Sequence, residues 1–264
     1  MVVFPNAKIN IGLNILSKRD DGYHNIESCF YPIGFSDVLE ILPSDKLTFT
    51  STGIPIPGKL KSNLCLKAYE LIKKNFEIPP VRIHLHKIIP IGAGLGGGSS
   101  DATFTLKVLN KIFELDISDH KLEQYAAQLG SDCPFFVRNS PVIATGTGTT
   151  FKSCKIDLSG YFLALAFPGI HIGTQEAYAG IKPTKAENPI PEIIAKTPHT
   201  WKDLLINDFE HSIFPNHSEI EVIKDTFYET GAIYSSMTGS GSAVYGLFEK
   251  ETPVLPNVVW RQPL

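Results

Sequence analysis

The most informative segment of the sequence is Pro90-Ile91-Gly92-Ala93-Gly94-Leu95-Gly96-Gly97-Gly98-Ser99-Ser100-Asp101-Ala102. Five of the seven residues from 92 to 98 are glycines, which reach positive φ angles and have no Cβ to block another backbone. Apolar alternation before the stretch predicts a strand, and apolar residues at helical spacing after it predict a helix. A glycine-rich loop between a strand and a helix N-terminus favours phosphate. Ser99 and Ser100 would add hydroxyls beside the phosphate oxygens or a metal ion.

Two familiar loops fit this stretch less well. A Walker A loop needs a lysine before its final serine or threonine, and here Gly97 is followed by Gly98 and Ser99. The spacing of Gly92, Gly94 and Gly97 matches a dinucleotide fingerprint. However, the segment 118–129 predicts an amphipathic helix where that fold needs a second parallel strand. A flexible linker is disfavoured because a strand and a helix bracket the loop.

Strands and helices are predicted in an irregular order, which favours an α+β protein with two lobes. The pattern restarts near residue 151, so we expect an N-terminal domain of residues 1–150, which contains the glycine-rich loop, and a C-terminal domain of residues 151–264. Segment 181–198 is rich in Pro, Thr and Lys and predicts a surface excursion. Helix N-caps are predicted at Ser62, Ser118 and Ser218.

Composition limits the class of protein. The chain has 264 residues, 43% of them hydrophobic and 19% charged, as globular proteins do. A net charge of -3 argues weakly against nucleic-acid binding. The four cysteines are scattered, which favours reduced thiols. Neither a secretory signal nor an apolar run of about 18 residues is visible, so we expect a cytoplasmic protein without membrane contact.

A second small-residue turn, Thr238-Gly239-Ser240-Gly241-Ser242, lies between two predicted strands. Such turns are common in hairpins. Together with the first loop, it suggests two lobes closing on one polyphosphate.

A short connection after a predicted helix, Gly130-Ser131-Asp132-Cys133-Pro134, holds Asp132 between a helix-ending glycine and a proline. An ordinary turn aspartate is the alternative. Lys8 is the only cation in the predicted strand Ala7 to Ile15, and a lysine beside an aspartate would keep that carboxylate ionised. Lys8 shares a strand face with three asparagines, and that face could also be solvated: Asn6, Asn10 and Asn14.

Histidines occur in two further patterns. Gly22-Tyr23-His24 pairs an aromatic ring with a hydrogen-bonding ring. His84 and His86 share one strand face, but without a third ligand nearby a solvated face is favoured over a metal site.

Together these residues resemble the superfamily of galactokinase, homoserine, mevalonate and phosphomevalonate kinases, the GHMP kinases. The match is carried by residues 90–102, the Lys8 strand and residues 237–243. Segments 18–24, 130–136 and 207–210 are similar to one member that acts on the cytidine diphosphate derivative of methylerythritol. The resemblance implies a two-lobed fold with an N-terminal mixed sheet and a C-terminal ferredoxin-like α/β lobe.

The resemblance also implies the reaction, which is ATP-dependent phosphorylation of the 2-hydroxyl of that derivative. Asp132 would accept the hydroxyl proton, and Lys8 would hold Asp132 ionised and orient the hydroxyl. The cytosine would stack between Tyr23 and Tyr178, with His24 reading its polar edge. The residues implied at the nucleotide are Asn63, Lys87, Pro90, Gly92, Gly94, Leu95, Gly96, Gly97, Gly98, Ser99 and Ser100. Those implied at the acceptor are Asn10, Tyr23, His24, Thr174, Tyr178, Gly239 and Ser240.

The partners expected are therefore small molecules. ATP would bind as its magnesium complex, without a dedicated protein metal site, and the chain would be a monomer or a weak homodimer. The family usually has alanine where this chain has Ser131 and an acidic residue where it has Thr149. Two alternatives stay open, a mevalonate or homoserine type of kinase and a nucleotide sensor without turnover.

Overall fold

The computed structural model describes residues 1–184, 188–252 and 254–264. Strands and helices follow one another in a mixed order, which confirms the predicted α+β class. The strands are β1 (Val2–Val3), β2 (Asn6–Lys18), β3 (His24–Ser36), β4 (Val38–Pro43), β5 (Thr48–Gly53), β6 (Val81–Lys87), β7 (Val142–Gly146), β8 (Thr150–Ser153), β9 (Phe162–Ala166), β10 (Tyr234–Met237), β11 (Val244–Phe248) and β12 (Val258–Pro263). The α-helices are α1 (Leu64–Asn75), α2 (Gly97–Ile112), α3 (Asp119–Ala127), α4 (Phe135–Arg138), α5 (Thr174–Ala179), α6 (Ile190–Ile194), α7 (Phe209–Ile213) and α8 (Ser218–Glu229).

The chain divides into two compact units that interleave along the sequence. Unit 1 comprises Met1–Ala7, Gly34–Ile91 and Gly96–Ser140, and unit 2 comprises Lys8–Ile33, Gly92–Leu95 and Pro141–Leu264. The glycine-rich loop therefore contributes residues to both units. The domain division at residue 150 is a boundary along the chain and stays a prediction.

Unit 1 contains a sheet of order β1-β4-β6-β5, in which β5 runs parallel to β6 and the other pairs are antiparallel. The predicted strand before the glycine loop is confirmed as β6, where Val81, Ile83 and Leu85 are buried. Because strand side chains alternate between faces, these three join the apolar faces of α1 and α2 in one core. Each such side chain contributes about 1.5–3 kcal/mol on burial.

Helix capping in unit 1 follows the prediction at one helix only. Ser118 caps α3, since its Oγ accepts a hydrogen bond from the backbone N–H of Lys121 at 3.4 Å. At α1 the predicted cap Ser62 is wrong: the N-cap is Asn63, whose Oδ1 accepts from the Cys65 N–H at 2.9 Å. Ser62 belongs to the preceding 3-10 turn.

Unit 2 contains two sheets, of order β2-β3-β7-β8 and β10-β11-β9-β12. The hairpin arm predicted at the N-terminus is confirmed by the neighbouring strands β2 and β3. The apolar segment predicted as a strand is confirmed as β9, which pairs with both β11 and β12. Its continuous apolar run is explained by burial of Leu163, Ala164, Leu165 and Ala166.

Two predictions for the second half of the chain are wrong. Ser218 is the first residue of α8, and its N-cap is His217, which makes no side-chain capping bond. Segment 181–198 is not a surface excursion throughout, because α6 buries Ile190, Ile193 and Ile194; residues 185–187 of that segment lie outside the described residues. Within the described ranges, no helix combines the length and apolarity that a bilayer span requires.

Candidate active site

The second half of the glycine-rich loop forms the N-terminus of α2 in unit 1. Gly96 occupies the N-cap with a φ of 70°, and no side chain caps the helix. The first N–H groups of a helix have no partner inside it. A Cβ on Gly97 would lie 3.0 Å from Nζ of Lys87 and 2.9 Å from Cγ2 of Ile89, so this position requires glycine. An uncapped N-terminus at the positive end of the helix dipole suits a phosphate group.

Two buried polar atoms near this N-terminus have no hydrogen-bond partner among the described residues. They are Oγ of Ser100 and Oδ1 of Asp101. An unpaired buried polar group costs about 1–3 kcal/mol, and a ligand oxygen could satisfy the Ser100 hydroxyl. The contact predicted for Ser100 therefore stays a prediction with a chemical reason behind it.

Lys87 is buried between two carboxylates at the end of β6. Its Nζ lies 2.5 Å from Oδ2 of Asp37 and 2.7 Å from Oδ2 of Asp101. Oδ1 of Asp37 also accepts from the N–H groups of Ile88 and Ile89, at 2.6 and 2.8 Å. Two of the three ammonium protons are thus directed to carboxylates, and the direct nucleotide contact expected of Lys87 stays a prediction.

The pKa values of this cluster reflect burial and mutual charge. Burial raises the pKa of Asp101 to about 7, the nearby Asp37 charge raises it as well, and Lys87 opposes both. Burial alone would lower the pKa of Lys87, but Asp101 and Asp37 outweigh it and the pKa is raised. Asp101 is therefore protonated more readily in the folded protein than in water.

Asp37 and Asp101 were missed by the sequence reasoning. Asp101 lies within the glycine-rich loop. An acidic residue in a loop that binds phosphate indicates that a cation lies close to it. No local pattern marks Asp37, which is 50 positions from its lysine partner.

Asp132 lies on a turn that is fixed to α2 within unit 1. The Cys133 N–H donates to the carbonyl of Gly130 at 3.2 Å, which closes the turn. Oγ1 of Thr103, on α2, lies 2.8 Å from the carbonyl oxygen of Cys133. The position of Asp132, the predicted base, is thus tied to α2, which begins within the glycine-rich loop.

Lys8 lies in a buried polar network on β2 in unit 2. Its Nζ donates to Oδ1 of Asn10 at 2.6 Å and lies 4.7 Å from the ring centroid of Phe30. Nδ2 of Asn10 in turn donates to Oγ of Ser28 at 2.8 Å. Lys8 and Asn10 are 3% and 2% exposed, so at these positions the strand face is buried rather than solvated. Lys8 and Asp132 belong to different units, and their contact stays a prediction.

The three aromatic rings that were predicted to bind cytosine all lie in unit 2. Tyr23 is 64% exposed on the turn after β2, and its N–H donates to Asp21. His24 stacks on Tyr178 with ring centroids 4.6 Å apart and an interplanar angle of 18°. Burial, followed by the charge of Lys18, lowers the pKa of His24, which favours the neutral ring. The side chain of Thr174, at the start of α5, lies outside the described part of the chain.

The second small-residue turn packs against β2 and the first half of the glycine loop, all within unit 2. Oγ1 of Thr238 accepts from the Asn10 N–H at 3.0 Å. The Ala243 N–H donates to the carbonyl of Ala93 at 3.2 Å. A Cβ on Gly94, whose φ is 78°, would lie 2.0 Å from the carbonyl oxygen of Thr238, so only glycine permits this packing.

His84 and His86 bind neighbouring hydroxyls. Nδ1 of His84 lies 2.8 Å from Oγ1 of Thr50, and Nδ1 of His86 lies 2.9 Å from Oγ1 of Thr52. In the described part of the chain, no group of three or more His, Cys, Asp or Glu residues could hold a metal ion.

The predicted site residues therefore fall into two groups. Unit 1 holds Asn63, Lys87, Pro90, Gly96, Gly97, Gly98, Ser99, Ser100 and Asp132. Unit 2 holds Lys8, Asn10, Tyr23, His24, Gly92, Gly94, Leu95, Thr174, Tyr178, Gly239 and Ser240.

Family models match two parts of the chain. The GHMP kinases N terminal domain matches residues 63–140, and the GHMP kinases C terminal domain matches residues 190–254. Residues 63–140 include the glycine loop and Asp132, and residues 190–254 include the second turn.

Relatives of known name are similar over nearly the whole chain. The 4-diphosphocytidyl-2-C-methyl-D-erythritol kinase of Parabacteroides distasonis is 54% identical over 252 residues, 96% of this chain and 93% of its own. The enzyme of the same name from Cytophaga hutchinsonii is 51% identical over 249 residues, 94% of this chain and 92% of its own.

Among solved structures, the chain is more similar to a kinase of the same name than to a mevalonate kinase. A crystal structure of 4-(cytidine 5'-diphospho)-2C-methyl-D-erythritol kinase superposes with a TM-score of 0.79 at 30% identity, covering 94% of this chain and 90% of that one. The Methanococcus jannaschii mevalonate kinase has a TM-score of 0.68 at 16% identity over the same shares of the two chains, which is likeness of fold alone.

Proposed function

Because the chain belongs to the 4-diphosphocytidyl-2-C-methyl-D-erythritol kinases of the GHMP family, we propose that its two glycine-rich turns, Lys8 and Asp132 carry out this family's reaction. The reaction transfers the γ-phosphoryl group of ATP to the 2-hydroxyl of 4-diphosphocytidyl-2-C-methyl-D-erythritol, giving the 2-phosphate and ADP in the non-mevalonate isoprenoid pathway. The mevalonate type of kinase is the more distant alternative, at 16% identity in the structural comparison.

One observation carries the proposal. In unit 1, Thr103 ties the turn of Asp132 to α2, whose uncapped N-terminus suits the ATP phosphates. A base and a phosphate site in one compact unit meet the main demand of phosphoryl transfer, which is alignment.

We assign Asp132 the role of general base. It accepts the proton of the 2-hydroxyl as the oxygen attacks the γ-phosphorus, a role worth about 10²–10⁴-fold in rate. Lys8 provides the positive charge that keeps Asp132 ionised and orients the hydroxyl. The buried bond from Lys8 to Asn10 holds the ammonium in place for this role.

The glycine turns are assigned to the phosphates. Gly96, Gly97 and Gly98 present backbone N–H groups to ATP, and Gly239 and Ser240 present theirs to the diphosphate of the acceptor. Fixed N–H donors stabilise negative charge without reorganising during the reaction.

Magnesium is proposed to arrive with ATP, without a dedicated protein metal site. The described residues offer no cluster of metal-binding side chains, whereas the unpaired hydroxyl of Ser100 fits an oxygen-preferring cation or a phosphate oxygen. The ion would neutralise charge on the transferring phosphoryl group.

The cytosine is proposed to bind beside Tyr23, His24 and Tyr178. Since His24 stacks on Tyr178, a cytosine must either displace His24 from that face or use the opposite one. A neutral imidazole donates at one nitrogen and accepts at the other, which suits the polar edge of cytosine. Asn63, Lys87 and Thr174 keep their predicted nucleotide and acceptor contacts as proposals.

The setting of the reaction is proposed from the cysteines. All four are free, and Sγ of Cys29 and Sγ of Cys154 lie 3.8 Å apart, as hydrogen-bonded thiols rather than a disulfide, which agrees with a reducing compartment. We place the enzyme in the cytoplasm as a monomer or weak homodimer without nucleic-acid partners.

The test offers purified protein ATP with the cytidylyl-methylerythritol substrate, mevalonate and homoserine in parallel. ATP consumption with the first alone, lost in Asp132→Asn, supports the proposal and its base. Consumption with mevalonate or homoserine would move the acceptor to the alternative. ATP binding without consumption in all three would favour a sensor.

A further inference from the structure

The segment Asn207–Glu210, with the sequence Asn-Asp-Phe-Glu, has no part in the reaction described above. Asn207 is 0% exposed and Glu210 is 4% exposed. Buried polar side chains in native proteins are hydrogen-bonded, and the partners of these two lie at the second small-residue turn, within unit 2.

Asn207 holds the backbone on both sides of Thr238. Its Nδ2 donates to the carbonyl oxygens of Met237 and Gly239, each at 2.8 Å. Its Oδ1 accepts from the Phe209 N–H at 3.1 Å. The Asn207 amide nitrogen faces two carbonyl acceptors, and its oxygen faces an N–H donor. The side-chain amide can therefore take only one orientation.

Glu210 holds the residue before the turn. Its Oε1 accepts from the Met237 N–H at 2.8 Å and from Oγ of Ser236 at 3.1 Å. Its Oε2 pairs with Nζ of Lys224 at 2.6 Å. Met237 is therefore fixed through its N–H by Glu210 and through its carbonyl by Asn207.

The same segment also contacts other parts of the acceptor site in unit 2. Oδ2 of Asp208 accepts from the Ile15 N–H at 2.6 Å, on the strand that carries Lys8. The ring of Phe209 packs edge-on against Tyr178 with centroids 4.8 Å apart. Four consecutive residues thus reach the second turn, β2 and the ring assigned to cytosine.

A turn with two glycines needs such support. Glycine loses more conformational freedom on ordering than any other residue, and donors that are already ordered bind anions without that loss. We infer that Asn207 and Glu210 are positioning residues, which hold the Met237–Gly239 backbone so that Gly239 and Ser240 meet the acceptor substrate. The inference rests on the proposed function of that turn.

Steady-state kinetics of Asn207→Ala supply the first test. We expect kcat/KM for the cytidylyl substrate at saturating ATP to fall about 10- to 100-fold, and KM for ATP to change less than about threefold. Glu210→Ala, which removes the acceptor of the Met237 N–H, should shift the same parameter in the same direction.

Asn207→Asp supplies a pH signature. The carboxylate keeps the acceptor for Phe209 but cannot donate to Met237 or Gly239, whereas the protonated acid donates to one of them. Because burial favours the protonated acid, the kcat/KM of this variant relative to the wild type should rise as the pH is lowered from about 8 to about 6. A ratio that falls as the pH is lowered would contradict donation as the role of Asn207.

Two matched controls remove contacts in the same unit but not at the turn. Tyr228→Phe loses a bond to the carbonyl of Ser235, and Thr226→Ala loses a bond to the carbonyl of Val222 on α8. Both should keep kcat/KM within about twofold of the wild type.

Amide hydrogen exchange of Gly239–Ser242 gives a readout that needs no catalysis. We expect faster exchange at these amides in Asn207→Ala and not in the controls, under conditions where global unfolding is rare. If the wild type lacks kinase activity but exchange is accelerated in Asn207→Ala, the proposed function fails, whereas the ordering of the turn by Asn207 stands. If the wild type is active and Asn207→Ala matches the controls in kinetics and exchange, the positioning role is overturned.

Discussion

Nζ of Lys87 lies 2.7 Å from Oδ2 of Asp101, and this buried pair joins the strand before the glycine-rich loop to the helix after it. The two residues are 14 positions apart, and most of the loop lies between them. Asp37 completes the charge cluster. The stability of unit 1 and the shape of the helix N-terminus therefore depend on the same ion pairs.

Lys87→Met should destabilise the protein by about 3–5 kcal/mol, because it leaves two buried carboxylates without their cation. Urea unfolding measures this loss. Lys67→Met is the control, since Lys67 is exposed on α1 and its replacement should stay within about 0.5 kcal/mol. Equal losses in the two variants would contradict a structural role for the buried pairs.

Asp101 should make stability fall as pH rises. Its pKa is raised from 3.8 to about 7, first by burial, so between these values the folded state binds more protons than the unfolded state. The free energy of unfolding then decreases with pH across this window and levels off above it. Asp101→Asn should remove this component.

The measurement for Asp101 is the difference in unfolding free energy between the wild type and Asp101→Asn, taken from about pH 5 to about pH 8. As the pH rises, the unfolding free energy of the wild type should decrease relative to that of Asp101→Asn. A constant difference across the range would mean that the carboxyl does not titrate there.

Gly94→Ala should impair folding of unit 2. The new Cβ would lie 2.0 Å from the carbonyl oxygen of Thr238, at a φ of 78° that L-residues with a Cβ rarely adopt. Gly98→Ala is the stability control, because its nearest neighbour would be Cδ1 of Leu64 at 3.8 Å and alanine favours helices by about 1 kcal/mol. Thermal unfolding of both variants checks this, and equal midpoints would refute the predicted clash.

Tyr23→Ala should raise KM for the cytidylyl substrate about 5- to 100-fold, the range for losing one aromatic–base stack. KM for ATP and the unfolding midpoint should hardly change, since the ring is 64% exposed. Val222→Ala on α8, at 60% exposure, is the matched control. An unchanged acceptor KM would place the cytosine elsewhere.

Local physics made part of this structure predictable from sequence. The glycine-rich loop, the α2 helix behind it and the Ser118 cap depend on conformational freedom and on bonds within a few residues. The alternation of Val81, Ile83 and Leu85 depends on one strand alone. The family motifs add the reaction and the identity of its candidate residues.

The remainder depends on contacts between distant parts of the chain. Ser62 and Asn63 are both good caps, and only the preceding 3-10 turn decides between them. The excursion predicted over 181–198 failed because α6 finds apolar partners that no local pattern indicates. The pairing of Lys87 with Asp37 and the interleaving of the two units were not predicted for the same reason, since both depend on contacts between distant parts of the chain.

Interleaving has a consequence for synthesis of the chain. Asn10 is bound through its N–H by Thr238, 228 positions later, and ribosomes add about 5–20 residues per second. The partner of Asn10 therefore emerges roughly 10–45 s after it. Throughout that time the nascent strand carries apolar side chains such as Leu13 and Ile15 without the C-terminal residues that pack with them in one core of the folded protein. The first long strand to be made is among the last to be completed, and nascent chains that stop short of the second turn should be clients of chaperones.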